Sequence, residues 1–236
     1  MSAQAAAAGL GHPRLHLRRT DSTNDRARTL ALRGAPHGTV VTAAEQTAGR
    51  GRQGRTWSAP AGQSLLCSTV WRPVPLLLPL IAGVAVARVT GGQIKWPNDV
   101  VFVEQDRRLR KLAGILAEGR PQEGWAVLGI GVNVAVQLDQ MPDELRERAA
   151  TLGRTRRDIE PVLAQLMAAL SHWATCPDSE VLDAWRERDA LRGREIHWAT
   201  GDGRADGIDG DGRLIVRRPD GGQVTLDAGE VHLGAV

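Results

Sequence analysis

Four β-type runs follow one another at residues 93–96, 100–104, 109–118 and 125–134, and a chain that spends its middle in this way has to be built around a sheet. Gln105, Asp106 and Arg107 suit a hairpin turn between the second and third of them. Residues 39–45 and 64–71 add two earlier strands. Helical patterns stand between and after these runs. Ser22 and Asp25 have capping-box spacing, and Ala27, Leu30 and Ala31 recur at helical intervals before Gly34, which predicts a helix over 23–33. Residues 76–89 read as an apolar, largely buried helix, and 143–150, 158–175 and 179–191 as three further helices. The expected class is therefore α+β, a mixed sheet flanked by helices.

At 236 residues the chain can bury one substantial core and still carry a small appendage. Residues 1–14 are rich in Ala, Gly and Pro without any period, and are expected to be a flexible lead-in. Residues 15–192 form the main domain. From Gly193 short β-type runs alternate with Gly201-Asp202-Gly203, Asp209-Gly210-Asp211-Gly212 and Asp220-Gly221-Gly222, so residues 193–236 are expected to form a small antiparallel barrel that leans on the main domain for stability.

An apolar fraction of 42% with 24% charged residues excludes a largely disordered or fibrous chain. Lys and Arg total 30 against 27 Asp and Glu, so positive charge matters through its placement. Arg50, Arg52 and Arg55 form one cluster; Arg107, Arg108, Arg110 and Lys111 form another. Cys67 and Cys176 lie far apart with no CxxC pair, which argues against a disulfide framework or a zinc site. The Ala-rich start has no preceding basic segment, and the best apolar stretch, 74–87, falls short of the roughly 20 residues that span a bilayer. A cytoplasmic location without membrane attachment is the expectation.

Gly49 to Trp57 reads GRGRQGRTW, whose first six residues fit the dinucleotide fingerprint GxGxxG. That fingerprint needs a helix opening at its last glycine and an acidic residue about 20 positions later. Arg55 to Pro60 does not readily open a helix, and Asp99 is the one acidic residue between Gln46 and Val103. Two readings stay open. In the first, glycines and interleaved arginines make an anion-binding loop and Trp57 stacks on a purine. In the second, the loop is merely solvated and Trp57 anchors it to the core. KWPNDV, residues 95–100, is likewise either a site at the end of a strand or a hairpin turn with Trp96 in the core. Lys111, in RKLAGIL (110–116), either keeps a strand edge soluble or aims its ammonium into a pocket.

Taken together, DSTND (21–25), EQTAGRGRQGRTW (45–57), KWPND (95–99), RKLAGIL (110–116) and GIGVNV (129–134) resemble the biotin protein ligase family in order and approximate spacing. The resemblance covers about residues 15–190, and the terminal module is similar to the family's SH3-like barrel. It implies the catalytic fold shared with class II aminoacyl-tRNA synthetases and lipoate ligases. It also implies that biotin and ATP are joined as biotinyl-adenylate and that biotin then passes to a lysine of the biotin carboxyl carrier domain of acetyl-CoA carboxylase or a related carboxylase.

Carried over onto this sequence, the resemblance places Ser22, Thr23, Asn24, Gln46, Gly49, Arg50, Gly51, Trp96, Lys111 and Gly114 around biotin. Ser22, Thr23 and Gln46 would bond its ureido ring and Trp96 would shape the apolar part. Arg50, Arg52 and Lys111 would face the adenylate phosphate, Trp57 would cover the adenine and Asn133 would read its polar edge. Lys111, Arg52 and Asp99 carry the expected catalysis, with Asp99 meeting the acceptor lysine. Mg²⁺ would accompany ATP, by ligands the sequence does not identify. Chemically, a carboxylate attacking an α-phosphate brings two anions together and needs preorganised positive charge. The glycine loop is expected to order over the adenylate and shield it from water.

Some relatives carry an N-terminal winged helix-turn-helix; with about 20 residues before Asp21, neither DNA binding nor repression is expected, and the chain is expected to be a monomer or weak homodimer. Gln53 stands where some relatives have a basic residue. A lipoate ligase is the nearest rival, against which GRGRQGRTW and KWPND argue. A basic RNA-binding protein is the rival from another class; one Phe and no Tyr leave few platforms for base stacking.

Overall fold

The computed structural model describes residues 9–227 and 231–233. Seven strands make the larger sheet: β1 (Arg14–Leu17), β2 (Val40–Ala43), β3 (Ser64–Trp71), β4 (Gln93–Lys95), β5 (Asp99–Val103), β6 (Leu109–Arg120) and β7 (Trp125–Asn133), in the order β1-β2-β3-β7-β6-β5-β4. β1 runs parallel to β2 and the other neighbours pair antiparallel, so the sheet is mixed. Every position of the interior strand β3 is buried, because both faces of the sheet are covered. Leu65, Cys67 and Trp71 belong to the core shared with α2 (Leu78–Thr90) and α4 (Ile159–Trp173). Val70 packs from the other face against Ala27 and Ala31 of α1 (Thr23–Leu32).

Local chemistry sets these elements. Ser22 caps α1 by accepting from Asp25 N at 3.5 Å. α2 opens with Pro79 in its first turn and ends at Gly91 in the left-handed region, φ 76°. Its ten buried residues include Leu78, Leu80, Ile81, Val84 and Val86, and an all-round apolar helix of this kind has to lie inside. It packs between the sheet, α4 and α5 (Asp178–Arg186).

Two expected helices end early for one reason. The helix expected over 143–150 is a single turn, α3 (Asp143–Arg146), because Arg148 O accepts from Lys111 N at 2.6 Å and Ala150 N donates to Lys111 O at 2.7 Å. The helix expected to reach residue 191 stops at Arg186, since Arg188 O and Ala190 N are bonded to Ile94. A backbone group given to a sheet edge is lost to the helix ladder. At the other end of the chain, the lead-in reading of 1–14 falls partly outside the described residues. The part that is described departs from it: Leu10 is buried in the core, Gly11 N donates to Gly38 O at 2.9 Å, and Arg14 begins a strand that periodicity does not reveal.

The smaller sheet holds β8 (Glu195–Trp198), β9 (Gly201–Ile208), β10 (Leu214–Arg217), β11 (Gln223–Leu226) and β12 (His232–Leu233), ordered β11-β10-β9-β8-β12 and antiparallel throughout. Asp209 Oδ1 accepts from Asp211 N and Arg213 N and so shapes the β9–β10 turn. Ile196, Ala205, Leu214 and Val216 belong to the same apolar cluster as Leu80 and Trp96. A Cβ on Gly212 would collide with Leu80 Cδ1, so the β9–β10 turn packs closely on α2.

Candidate active site

The larger sheet carries a glycine floor on the face that α1 covers. Gly114 of β6 pairs directly with Gly131 of β7, and Gly129 pairs with Leu116 two positions along. A Cβ on Gly129 would strike Asn24 Oδ1; one on Gly131 would come within 2.6 Å of the Trp57 ring, and one on Gly114 within 2.9 Å of it. Glycine is thus required where a side chain and an indole lie flat on the strands.

Trp57 reaches this floor from the arginine-glycine loop. The loop is a closed hairpin, with Trp57 N donating to Gly49 O at 2.9 Å and Gly51 N to Arg55 O at 2.7 Å. Those two N–H groups point into the hairpin, whereas an anion cradle would have them point outward. Arg52 and Arg55 line the cleft beside Trp57. The indole Nε1 is buried and has no hydrogen-bond partner among the described residues.

Lys111 enters from the opposite wall. β6 carries a bulge here: Val101 pairs with Lys111 and Val100 with Ala113, so Leu112 is the extra residue. Without it, alternation would set Lys111 on the face of Ala113 and Ile115. With it, Lys111 shares the floor side with Gly114, whose Cβ would lie 3.2 Å from Lys111 Cε. Lys111 Nζ sits 2.7 Å from Asp99 Oδ1 and 5.5 Å from the centroid of the Trp57 ring.

The far end of the cleft is a polar web at the start of α1. Gln46 Oε1 accepts from Thr23 N at 2.7 Å and from Thr23 Oγ1 at 3.0 Å. Ser68 Oγ lies 2.8 Å from Thr23 Oγ1 and 2.6 Å from Asn24 Oδ1, and Asn24 Nδ2 donates to Glu118 Oε2 at 2.9 Å. Arg50 Nη1 donates to Asp25 Oδ1 at 2.6 Å and Nη2 to Glu118 Oε1 at 2.7 Å.

The cleft therefore gathers Ser22, Thr23, Asn24, Gln46, Arg50, Gly51, Arg52, Trp57, Asp99, Lys111 and Gly114, all expected from sequence. Three expected residues stand elsewhere. Trp96 is 2% exposed and its Nε1 donates to Gly212 O at 3.1 Å, tying the main domain to the smaller sheet. Asn133 is buried, with Oδ1 3.3 Å from Ser64 Oγ and Nδ2 donating to Ala150 O at 2.9 Å. Gly49 sits at the loop's base, where a Cβ would meet the Trp57 carbonyl. Sequence reasoning passes over Gly129 and Gly131, whose alternate spacing within a strand is the available sign, and Asn98, whose Oδ1 is 3.5 Å from Arg52 Nη1.

Four cations, Arg50, Arg52, Arg55 and Lys111, border one cleft, which suits a phosphate-bearing ligand. With Trp57 on the floor the cleft's open space is about 120 Å³. No group of three His, Cys, Asp or Glu that could hold a metal occurs among the described residues. A magnesium ion, commonly held by one or two carboxylates together with phosphate oxygens, would enter with its nucleotide. No helix among the described residues is long and apolar enough to cross a membrane.

Residues 16–134 match the biotin/lipoate A/B protein ligase family and residues 193–234 the biotin protein ligase C terminal domain. A biotin–[acetyl-CoA-carboxylase] ligase of Paracoccus denitrificans is 35% identical over 247 residues, covering 92% of this chain and 99% of its own. The bifunctional ligase/repressor BirA of Bacillus spizizenii is 40% identical over 147 residues, covering 56% of this chain and 44% of its own, so the chain spans less than half that relative's length. Among solved structures, a biotin protein ligase from Aquifex aeolicus in complex with biotin and ATP superposes with a TM-score of 0.76 at 28% identity, over 94% of this chain and 99% of that one.

Proposed function

This chain belongs to the biotin/lipoate A/B protein ligase family, and on that footing we propose that it is an ATP-dependent biotin protein ligase acting on the biotin carboxyl carrier domain of acetyl-CoA carboxylase. The observation that carries the reading is the meeting, over one glycine floor, of the Lys111–Asp99 pair and loop arginines with the polar web of Ser22, Thr23 and Gln46. One end suits phosphate; the other suits the urea-like head of a vitamin.

In the first step a carboxylate oxygen of biotin attacks the α-phosphorus of ATP, and the bond to the bridging oxygen breaks as pyrophosphate leaves with the electron pair. Lys111 and Arg52 offset the charge of the two anions brought together. In the second step the ε-amine of the acceptor lysine attacks the acyl carbon, AMP leaves, and one proton is released as the amide forms. That amine is protonated at neutral pH and has to lose a proton first, a task for Asp99 beside Lys111. Trp57 swings off Gly114 and Gly131 and closes over the bound nucleotide, shielding the mixed anhydride from water. Bound to the nucleotide, magnesium screens the charge of the phosphates.

Incubation with ATP, biotin and an isolated biotin carboxyl carrier domain should add a single biotinyl mass to one acceptor lysine. An acceptor left unmodified, or labelled equally after that lysine is changed to arginine, contradicts the reading.

A further inference from the structure

Trp96, Pro97 and Asn98 form the turn between β4 and β5, and Asp99 is the first residue beyond it. A turn of three residues has few soft dihedrals in which to absorb a displacement, so the placement of one end is felt at the other. Asn98 holds this turn to β6 twice: its Nδ2 donates to Ile115 O at 2.9 Å, and its carbonyl accepts from Ile115 N at 2.9 Å. Trp96 holds it to the smaller sheet, through the bond that its Nε1 donates to Gly212 O at 3.1 Å. That carbonyl is itself fixed. Gly212 N donates to Asp209 O at 3.2 Å, Asp209 N donates to Arg213 O at 3.0 Å, and Arg213 Nε lies 2.8 Å from Asp209 Oδ2, so backbone and side chain both close the β9–β10 turn. Leu80 Cδ1 of α2 fills the space that a Cβ on Gly212 would need.

We propose that the β9–β10 turn braces the Lys111–Asp99 pair, and that Trp96 is a positioning residue which sets Asp99 for the transfer of biotin to the acceptor lysine. The proposal rests on the ligase reading for its catalytic consequence and on geometry alone for the brace. Asp99 Oδ1 lies 2.7 Å from Lys111 Nζ and the Asp99 backbone pairs with Gly114 of the floor, so a displaced turn moves the carboxylate relative to both. The two steps use Asp99 differently. In adenylate formation Lys111 turns from Asp99 to the anions of the ligand, and its charge acts wherever the carboxylate stands. In transfer the carboxylate itself has to come within about 2.6–3.2 Å of the incoming amine. Loosening the brace therefore slows transfer and spares the first step.

Trp96→Phe keeps a ring in the core and removes the donor. It should lower kcat for transfer to the carrier domain by about five- to tenfold, the scale of one hydrogen bond, with KM for that domain and the rate of biotin-dependent ATP–pyrophosphate exchange each within about twofold. Asp209→Ala opens the β9–β10 turn at a residue that does not line the cleft, and should have the same selective effect. In an Asp99→Asn background, Trp96→Phe should change transfer by less than about twofold, because a residue that acts through Asp99 has nothing left to place. With no substrate present, Trp96→Phe and Asp209→Ala should each speed amide hydrogen exchange over residues 96–103 by about fivefold. Should Trp96→Phe fail to show a cooperative unfolding transition, Asp209→Ala carries the same comparison. An equal fall in pyrophosphate exchange and transfer, a full further loss in the Asp99→Asn background, unchanged transfer, or unchanged hydrogen exchange would each overturn the brace. Absence of biotin-dependent pyrophosphate exchange in the unaltered protein defeats the ligase reading, while hydrogen exchange over 96–103 still decides the brace.

Discussion

Lys111 Nζ lies 2.7 Å from Asp99 Oδ1, across a pair of strands whose register shifts beside it. The bulge at Leu112 turns the ammonium to the cleft, and Asp99 holds it there until an anion competes. Lys111→Ala should lower the rate of adenylate formation by about 10²–10³ at saturating biotin and ATP, the effect of removing one preorganised charge from a transition state. Steady-state pyrophosphate exchange measures this; a fall of less than about threefold would place the catalytic charge elsewhere.

The floor makes a packing prediction. A methyl group on Gly131 would come within 2.6 Å of the Trp57 ring, so Gly131→Ala should destabilise the fold by about 1–3 kcal/mol in urea denaturation. In a Trp57→Ala background the same change should cost much less, because the collision has gone. Equal costs in both backgrounds would mean that Trp57 does not rest on the strand.

Stability should depend on pH through Asp189. Its carboxyl is pushed up to about 6 by burial, despite the bond that its Oδ1 accepts from Leu191 N at 2.8 Å. The folded state then binds this proton more tightly than the unfolded chain, whose value is near 3.8. The stabilisation is fully present below about 3.8 and is lost as pH rises through about 6. Asp189→Asn keeps the acceptor and removes the charge, so at pH 8 it should gain up to about 3 kcal/mol, at 1.36 kcal/mol per unit of pKa, and flatten the denaturation midpoint between pH 4 and about 6. A variant that keeps the same slope would assign that titration to another group.

The two thiols should behave differently. Cys67 is buried, its thiol pushed up to about 12 by desolvation, while Cys176 is partly open at the end of α4. A disulfide reagent at pH 8 should titrate one thiol in the native protein and the second only on unfolding. Rapid reaction of both in the folded state would contradict the packing around β3.

Elements that repeat a strong local pattern are legible in the amino-acid sequence alone. β3, α2, β6 and β7 are set by runs of apolar residues between clear breakers, and most of the cleft's lining follows from motifs that lie at their ends. What stays hidden depends on partners distant in the chain. No local pattern announces that Arg148 to Ala150 will pair with Lys111, or that Ile94 will end α5 at Arg186. KWPNDV leaves open whether Trp96 faces a site or the core, and only the resemblance sets it beside the vitamin; its indole meets Gly212, more than a hundred residues away, a partner no local pattern shows. The bulge that aims Lys111 is equally invisible, since cross-strand register decides it. Nor does any motif announce that Asp25 and Glu118 will meet at Arg50.

ATP–pyrophosphate exchange, run in parallel with biotin, lipoate and octanoate, tests the central claim most directly. Exchange with biotin alone, lost in Lys111→Ala, is the expected result. Exchange that prefers lipoate or octanoate, or that proceeds undiminished without Lys111, would contradict it.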